Sequence, residues 1–138
     1  MMIVTISSGL AKTLVDEAAA AGGVEVCGLL LGHPGAITTA VPARNVAADP
    51  GRSFEIDPAT LLRVHREARA AGQTVIGHYH SHPNGSAGPS KRDAARAIDN
   101  GQIWLIIAAG ATNAWRTTTA DDSAAIHGHF LPVSLVVA

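Results

Sequence analysis

The segment Gly77-His78-Tyr79-His80-Ser81-His82-Pro83, followed by Ser90-Lys91-Arg92-Asp93, carries residue types that bind a divalent metal. On a strand, alternate side chains point to one face, so His80 and His82 project together from backbone positions roughly 6.5–7 Å apart. Two imidazoles can converge from that spacing on one zinc ion at roughly 2.0–2.1 Å each. Pro83 ends the strand, and the following loop lets the chain fold back. Asp93, in the first turn of the next helix, can then supply a carboxylate oxygen as third ligand. Two His and one carboxylate leave the fourth zinc position open for water, the pattern of a catalytic site and not of a closed structural one. Zinc lowers the pKa of bound water to about 7, and such chemistry asks for a general base. Glu25 interrupts the otherwise apolar run Val24 to Leu31. A carboxylate beside a desolvated pocket has its pKa raised toward values suited to moving protons. Ser90 can donate a hydrogen bond to the oxyanion of a tetrahedral intermediate.

Plainer readings stand beside these. Ser90-x-x-Asp93 also reads as a helix N-terminus, with Ser as cap and Asp favoured by the dipole, and the two roles are compatible. Glu25 also reads as a solvated strand end. His78 shares the face of His80 and His82. Three such positions span about 13 Å, too far for one ion, and spacing leaves the pairs His78/His80 and His80/His82 both open. His127-x-His129 repeats the pattern without a carboxylate loop after it and reads as an exposed strand. His33 falls in a turn, His65 on a helix face, and Cys27 inside an apolar run, where it reads as inert core.

The elements that must position these groups follow from periodicity and punctuation. Met2 to Ile6 predicts a short strand, and Ser7 or Ser8 caps a helix that Gly22-Gly23 stops. Val24 to Leu31 predicts a buried central strand, with Ala36 to Val41 as its hairpin partner. Arg44 to Ala47 and Ser53 to Ile56 predict short strands around a turn at Asp49-Pro50-Gly51. Asp57-Pro58 opens a helix that Gly72 ends. Thr74 to Ser81 predicts a strand, Ser90 to Ile98 a helix, and Ile103 to Ala109 a buried strand. Ala114 to Thr119, Ala124 to His129 and Leu131 to Val137 predict further strands. Helices mixed with strands and without a repeat indicate an α/β domain on a central mixed sheet.

The 138 residues fit a single domain, 1–138. With 47% hydrophobic and 15% charged residues the chain is too apolar to be disordered. Lys+Arg 10 against Asp+Glu 11 lacks the basic excess of a phosphate-binding surface, so no nucleic acid is expected as partner. One cysteine excludes an internal disulfide and a four-cysteine zinc site. It also excludes the Pro-Cys-x-x-Cys pair of the zinc nucleobase deaminases. The longest strongly apolar run, Ile103 to Ala109, falls short of the roughly 20 residues of a spanning helix. The N-terminus lacks the basic region of a secretory signal. The expectation is a cytoplasmic protein with no membrane partner.

Glu25, then His80-Ser81-His82-Pro83, then Ser90 and Asp93 together resemble the JAMM motif of the JAB/MPN zinc metalloprotease family. That motif is an upstream Glu, His-x-His-Pro, and Ser-x-x-Asp with seven residues from the Pro to the Ser. Glu25-Val26-Cys27-Gly28-Leu29-Leu30-Leu31-Gly32 is similar to the family's Glu-x-Cys-Gly-Leu-Leu-x-Gly stretch. Phe54-Glu55-Ile56-Asp57-Pro58 and Gly77-His78-Tyr79-His80 resemble bacterial members, and the likeness runs from about residue 3 to 118. The resemblance implies a cytidine-deaminase-like α/β sandwich, a mostly antiparallel mixed sheet flanked by about three helices. It implies one zinc ion per chain held by His80, His82 and Asp93, with Glu25 as general base and Ser90 at the oxyanion. It further implies a peptidase or isopeptidase, in a minimal bacterial form, cutting after the C-terminal Gly-Gly of a ubiquitin-like, β-grasp sulfur-carrier protein. The alternative is a zinc-stabilised module that binds such tails without hydrolysis.

Overall fold

The structure is a computed structural model that describes residues 2–138. Its elements are β1 (Ile3–Ile6), α1 (Ser8–Ala21), β2 (Cys27–His33), β3 (Ala36–Ala43), α2 (Pro58–Ala70) and β4 (Thr74–Ser81). These are followed by α3 (Lys91–Arg96), β5 (Ile103–Ala108), β6 (Ala111–Thr117), β7 (Phe130–Pro132) and β8 (Ser134–Val137). The eight strands form one sheet in the order β7-β6-β5-β4-β2-β3-β1-β8. The pairs β2–β3, β2–β4, β5–β6 and β6–β7 are antiparallel, whereas β4–β5, β1–β3 and β1–β8 are parallel. This is the mixed, mostly antiparallel sheet with three helices that the sequence leads one to expect.

The two ends of the sheet, β7 and β8, are separated in the chain by Val133 alone, so the sheet must curl until its edges approach. Val133 donates its N–H to Ala114 on β6, and Ser134 donates to Met2 beside β1. α1 fills the concave face. Its Ala11 and Leu14 pack with Leu30, Tyr79, Leu105, Ile107 and Val133 in the main core. Ser7, and not Ser8, caps α1 by accepting the Leu10 N–H at 3.1 Å. α2 covers the other face, where Val64 and Ala68 pack against Leu29 and Leu31. Leu30 thus faces one helix layer while its neighbours face the other, which is why β2 is apolar along nearly its whole length.

A bulge in β4 sets the faces of the histidines. Leu30 pairs with Gly77 and Leu31 with Val75, which leaves Ile76 unpaired. One extra residue reverses the alternation. Val75 packs on the α2 side and Ile76 on the α1 side. Beyond the bulge, Tyr79 faces α1, and His78 and His80 face the layer containing Phe54 and Trp104.

Several expected elements differ. The strand expected from Val24 begins only at Cys27, because Glu25 and Val26 turn to meet the loop at Pro50 and the hydroxyl of Ser81. Arg44 to Ala47 and Ser53 to Ile56 are reduced to one bridge, Asn45 with Ile56, since the Asn45 side chain takes over the bonding to Ser53, Glu55 and Ala47. α3 stops at Arg96, short of Ile98. Ala124 to His129 is no strand. Asp122 accepts the Ala124 N–H, and His127 and Gly128 both have positive φ, so the segment turns back on itself. Leu131 to Val137 divides at Val133 into β7 and β8.

Candidate metal and catalytic site

Antiparallel pairing of β2 with β4 places the start of one beside the end of the other, with Cys27 opposite His80. Continued outward, this brings Glu25 alongside His82. The Ser81 N–H donates to the Val26 carbonyl at 3.0 Å, and the Val26 N–H donates to Ser81 Oγ at 2.9 Å. His82 lies one residue past β4 but still donates its N–H to Ile107 on β5. Glu25 thereby reaches residues more than fifty positions away in sequence without any long loop.

The expected residues converge. His80 Nε2 lies 3.0 Å from His82 Nε2, and Asp93 Oδ2 lies 3.2 and 3.1 Å from those two nitrogens. Glu25, His80 and His82 each offer a ligating atom within 4.8 Å of the others. His80 is wholly buried, and Glu25, His82 and Asp93 are nearly so. Of the two histidine pairs, His80 and His82 lie together with Asp93, and His78 stands behind His80. His78 Nε2 is 3.3 Å from His80 Nδ1. His127 and His129 lie in the 122–130 turn, and His127 Nε2 reaches the Pro89 carbonyl at 3.1 Å.

This donor set fits a divalent metal. Ligands at 2.0–2.1 Å around a tetrahedral zinc lie about 3.3 Å apart, within a few tenths of an ångström of the His80, His82 and Asp93 triangle. One oxygen of buried Glu25, Oε1, has no hydrogen-bond partner among the described residues. A buried carboxylate is seldom left so unless a ligand or water belongs beside it.

Ser90 and Asp93 also form the expected cap. The Asp93 N–H donates to Ser90 Oγ at 3.0 Å, and the Ser90 N–H donates to Asp93 Oδ2 at 2.9 Å. Ser90 Oγ accepts in this cap, so its hydroxyl proton remains available to a ligand. His82 Nδ1 lies 2.8 Å from the Ser86 carbonyl in the loop before α3, which fixes the ring.

Electrostatics follow from burial and neighbours. Burial pushes Glu25 up to about 7, against the pull of His82, with the Asp93 carboxylate pushing further upward. Asp93 is held well below the usual carboxylate range because hydrogen bonds from His80 and His82 outweigh its burial. Burial lowers His80, opposed by Asp93. His82 is raised, because Asp93 and the Ser86 carbonyl outweigh its burial. Burial and the neighbouring His80 drive His78 well down, so its ring is neutral.

Outside the histidines, the centre opens to a cleft of about 520 Å³ lined by Glu25, Gly51, Arg52, His82, Ser90 and Arg92 among others. Sequence reasoning attached no chemistry to Phe54, yet its ring stacks on His80 with centroids 4.3 Å apart and 19° between planes. Arg96 holds that segment in place by donating to the Phe54 carbonyl and lying 5.6 Å from the centre of its ring. The available signal was the Phe54-Glu55-Ile56-Asp57-Pro58 stretch, which resembles bacterial relatives.

Comparison with known proteins places the chain among relatives. A desampylase from Haloferax volcanii is 40% identical over 84 residues, 59% of this chain and 60% of that protein. A probable TtuB-protein conjugate cleaving protease from Thermus thermophilus is 37% identical over 57 residues, 41% of this chain and 38% of that protein. The chain thus spans less than two thirds of the length of these relatives. A solved structure from Desulfitobacterium hafniense superposes with a TM-score of 0.78 at 23% identity, covering 99% of this chain and 94% of that one. A structure described as a JAMM metalloprotease-like zinc site in the proteasome and signalosome gives 0.57 at 18% identity, covering 99% of both. Both share the fold. The family described as prokaryotic homologs of the JAB domain matches residues 7–120, most of the chain, and the protein belongs to that family.

Proposed function

We propose that this protein is a cytoplasmic zinc peptidase or isopeptidase that cuts after the C-terminal Gly-Gly of a ubiquitin-like, β-grasp carrier. The observation that carries this reading is the buried Glu25 carboxylate, with one unpartnered oxygen, beside the His80, His82 and Asp93 triangle. The names of the relatives, a desampylase and a TtuB-conjugate cleaving protease, support conjugates of ubiquitin-like proteins as the substrate class.

In this mechanism His80, His82 and Asp93 would hold one zinc ion through the atoms that converge, His80 Nε2, His82 Nε2 and Asp93 Oδ2. When bound, zinc supplies Lewis acidity and lowers the pKa of water to about 7. Glu25 takes the proton from the attacking water. Burial raises its pKa to about 7 in the metal-free protein, so it can also return that proton to the leaving amine. The Ser90 hydroxyl donates to the oxyanion as the carbonyl becomes tetrahedral. His82, fixed by the Ser86 carbonyl, and Asp93, fixed by the Ser90 N–H, keep their ligating atoms aimed at one point.

The test is mass analysis of a carrier fused at Gly-Gly to a short extension, after incubation with zinc-replete protein and with Glu25→Ala. Cleavage by the wild type and not the variant is expected. Equal cleavage by both removes Glu25 from the mechanism. Binding without cleavage by the wild type favours a non-hydrolytic module.

A further inference from the structure

We infer that His78 is a positioning residue for the metal site, holding His80 in the ring orientation and tautomer that present Nε2 to the ion. The inference rests on the proposed assignment of His80 as a ligand and adds a residue outside the ligand set. A neutral imidazole carries one N–H, so a ring that ligates through Nε2 must be protonated on Nδ1. That proton needs an acceptor, because His80 has no exposed surface. Among the described residues, the group within reach of His80 Nδ1 is His78 Nε2, at 3.3 Å. His82 is arranged in parallel, its Nδ1 facing the Ser86 carbonyl at 2.8 Å. The two ligating rings are therefore steadied differently, one by a backbone oxygen and one by a second histidine.

The surroundings keep His78 where it can serve. Its ring lies 4.9 Å from Phe54 and 4.3 Å, edge-on, from Trp104. The same two aromatics flank His80, at 4.3 and 5.7 Å. One apolar cage thus fixes both rings, and neither can turn without disturbing the other. On its far side His78 borders a pocket of about 400 Å³ shared with Gln102 and Ile98. Its own Nδ1–H can meet water there, which leaves Nε2 as an acceptor. The alternation beyond the β4 bulge places His78 two residues before His80 on the same face, so the pairing is built into the strand.

The test is zinc titration calorimetry on dialysed wild type, His78→Phe and His78→Gln. Phe keeps a ring between Phe54 and Trp104 but cannot accept a proton, whereas the Gln side-chain oxygen can. His78→Phe is expected to weaken zinc binding on the order of 10–100-fold, and His78→Gln to recover part of the loss. Equal affinities in all three proteins, or equal losses in both variants, overturn the inference while leaving the zinc site intact. Absence of zinc binding by the wild type overturns the site assignment and this inference together. A second measurement needs no variant. Long-range ¹H–¹⁵N spectra of the zinc-loaded wild type are expected to show His80 protonated on Nδ1 and His78 unprotonated on Nε2. A proton on His78 Nε2 overturns the inference.

Discussion

One oxygen of Asp93 serves two masters: Oδ2 accepts the Ser90 N–H at 2.9 Å and lies 3.1–3.2 Å from both imidazoles. The N-cap of α3 and the His80, His82 and Asp93 triangle are therefore one structure. Asp93→Asn keeps an oxygen for the cap but gives up the charge. It is expected to retain the fold and lose zinc, read as metal per chain after dialysis. Ser90→Ala removes the cap acceptor for the Asp93 N–H and is expected to cost about 1 kcal/mol, a fall in Tm of about 4 °C. It also lowers kcat if the hydroxyl serves the oxyanion, with KM little changed.

Glu25 places function against stability. Its folded pKa of about 7 lies above the ordinary carboxylate value because burial disfavours the charge. The metal-free folded protein therefore binds a proton that the unfolded chain has released between about pH 4.5 and 7. Stability from this group is fully present below 4.5 and lost as the pH rises through 7. Glu25→Gln cannot ionise. In the metal-free state it is expected to match the wild type near pH 4 and exceed it by about 3 kcal/mol at pH 8. Urea unfolding at the two pH values measures the difference. An unchanged difference between them would mean that Glu25 titrates as an exposed carboxylate does.

Gly28 and Tyr79 test the layer beneath the site. A Cβ at Gly28 would lie 2.4 Å from both the Tyr79 ring and the Val41 carbonyl. Tyr79 is wholly buried, and its hydroxyl is held by Glu17 at 2.8–2.9 Å, so the ring cannot yield. Gly28→Ala is expected to destabilise by about 3 kcal/mol, as overpacking does. Because Gly28 pairs opposite Tyr79 on β4, the same variant is expected to weaken zinc binding without touching a ligand. Paired melting and zinc-titration measurements check both effects.

The convergence of His80, His82 and Asp93 was legible because its parts are local. His80 and His82 follow the strand period, Pro83 ends the strand, and Ser90-x-x-Asp93 marks a helix start; each is a short-range rule. The burial of Glu25 was not legible. It depends on the loop at Pro50 and Gly51, where the Pro50 carbonyl accepts the Glu25 N–H from a residue 25 positions away. The turn at Ala124 to His129 departs from the expected strand for a related reason. Its apolar residues suit a strand, yet the adjoining Phe130 is claimed by β6, and Ile126 bridges back to it. The β4 bulge at Ile76 leaves no mark in the sequence, because Val75 and Ile76 are both apolar and either register packs one of them on each face.

Adding and then chelating zinc gives the most direct check on the proposed metal site. A ligand that binds only the folded state stabilises it by about 2.7 kcal/mol at 100 times its Kd. Zinc at that excess is expected to raise the Tm of the wild type by about 10 °C, and a chelator to reverse the rise. His82→Ala removes one corner of the triangle and the ring that meets the Ser86 carbonyl. It is expected to melt at one temperature with or without zinc. A zinc-dependent Tm that survives in His82→Ala would place the ion elsewhere on the protein. Loss of the zinc effect in both His82→Ala and Asp93→Asn would tie the strand end and the helix start, joined only by the 83–90 loop, to the same ion.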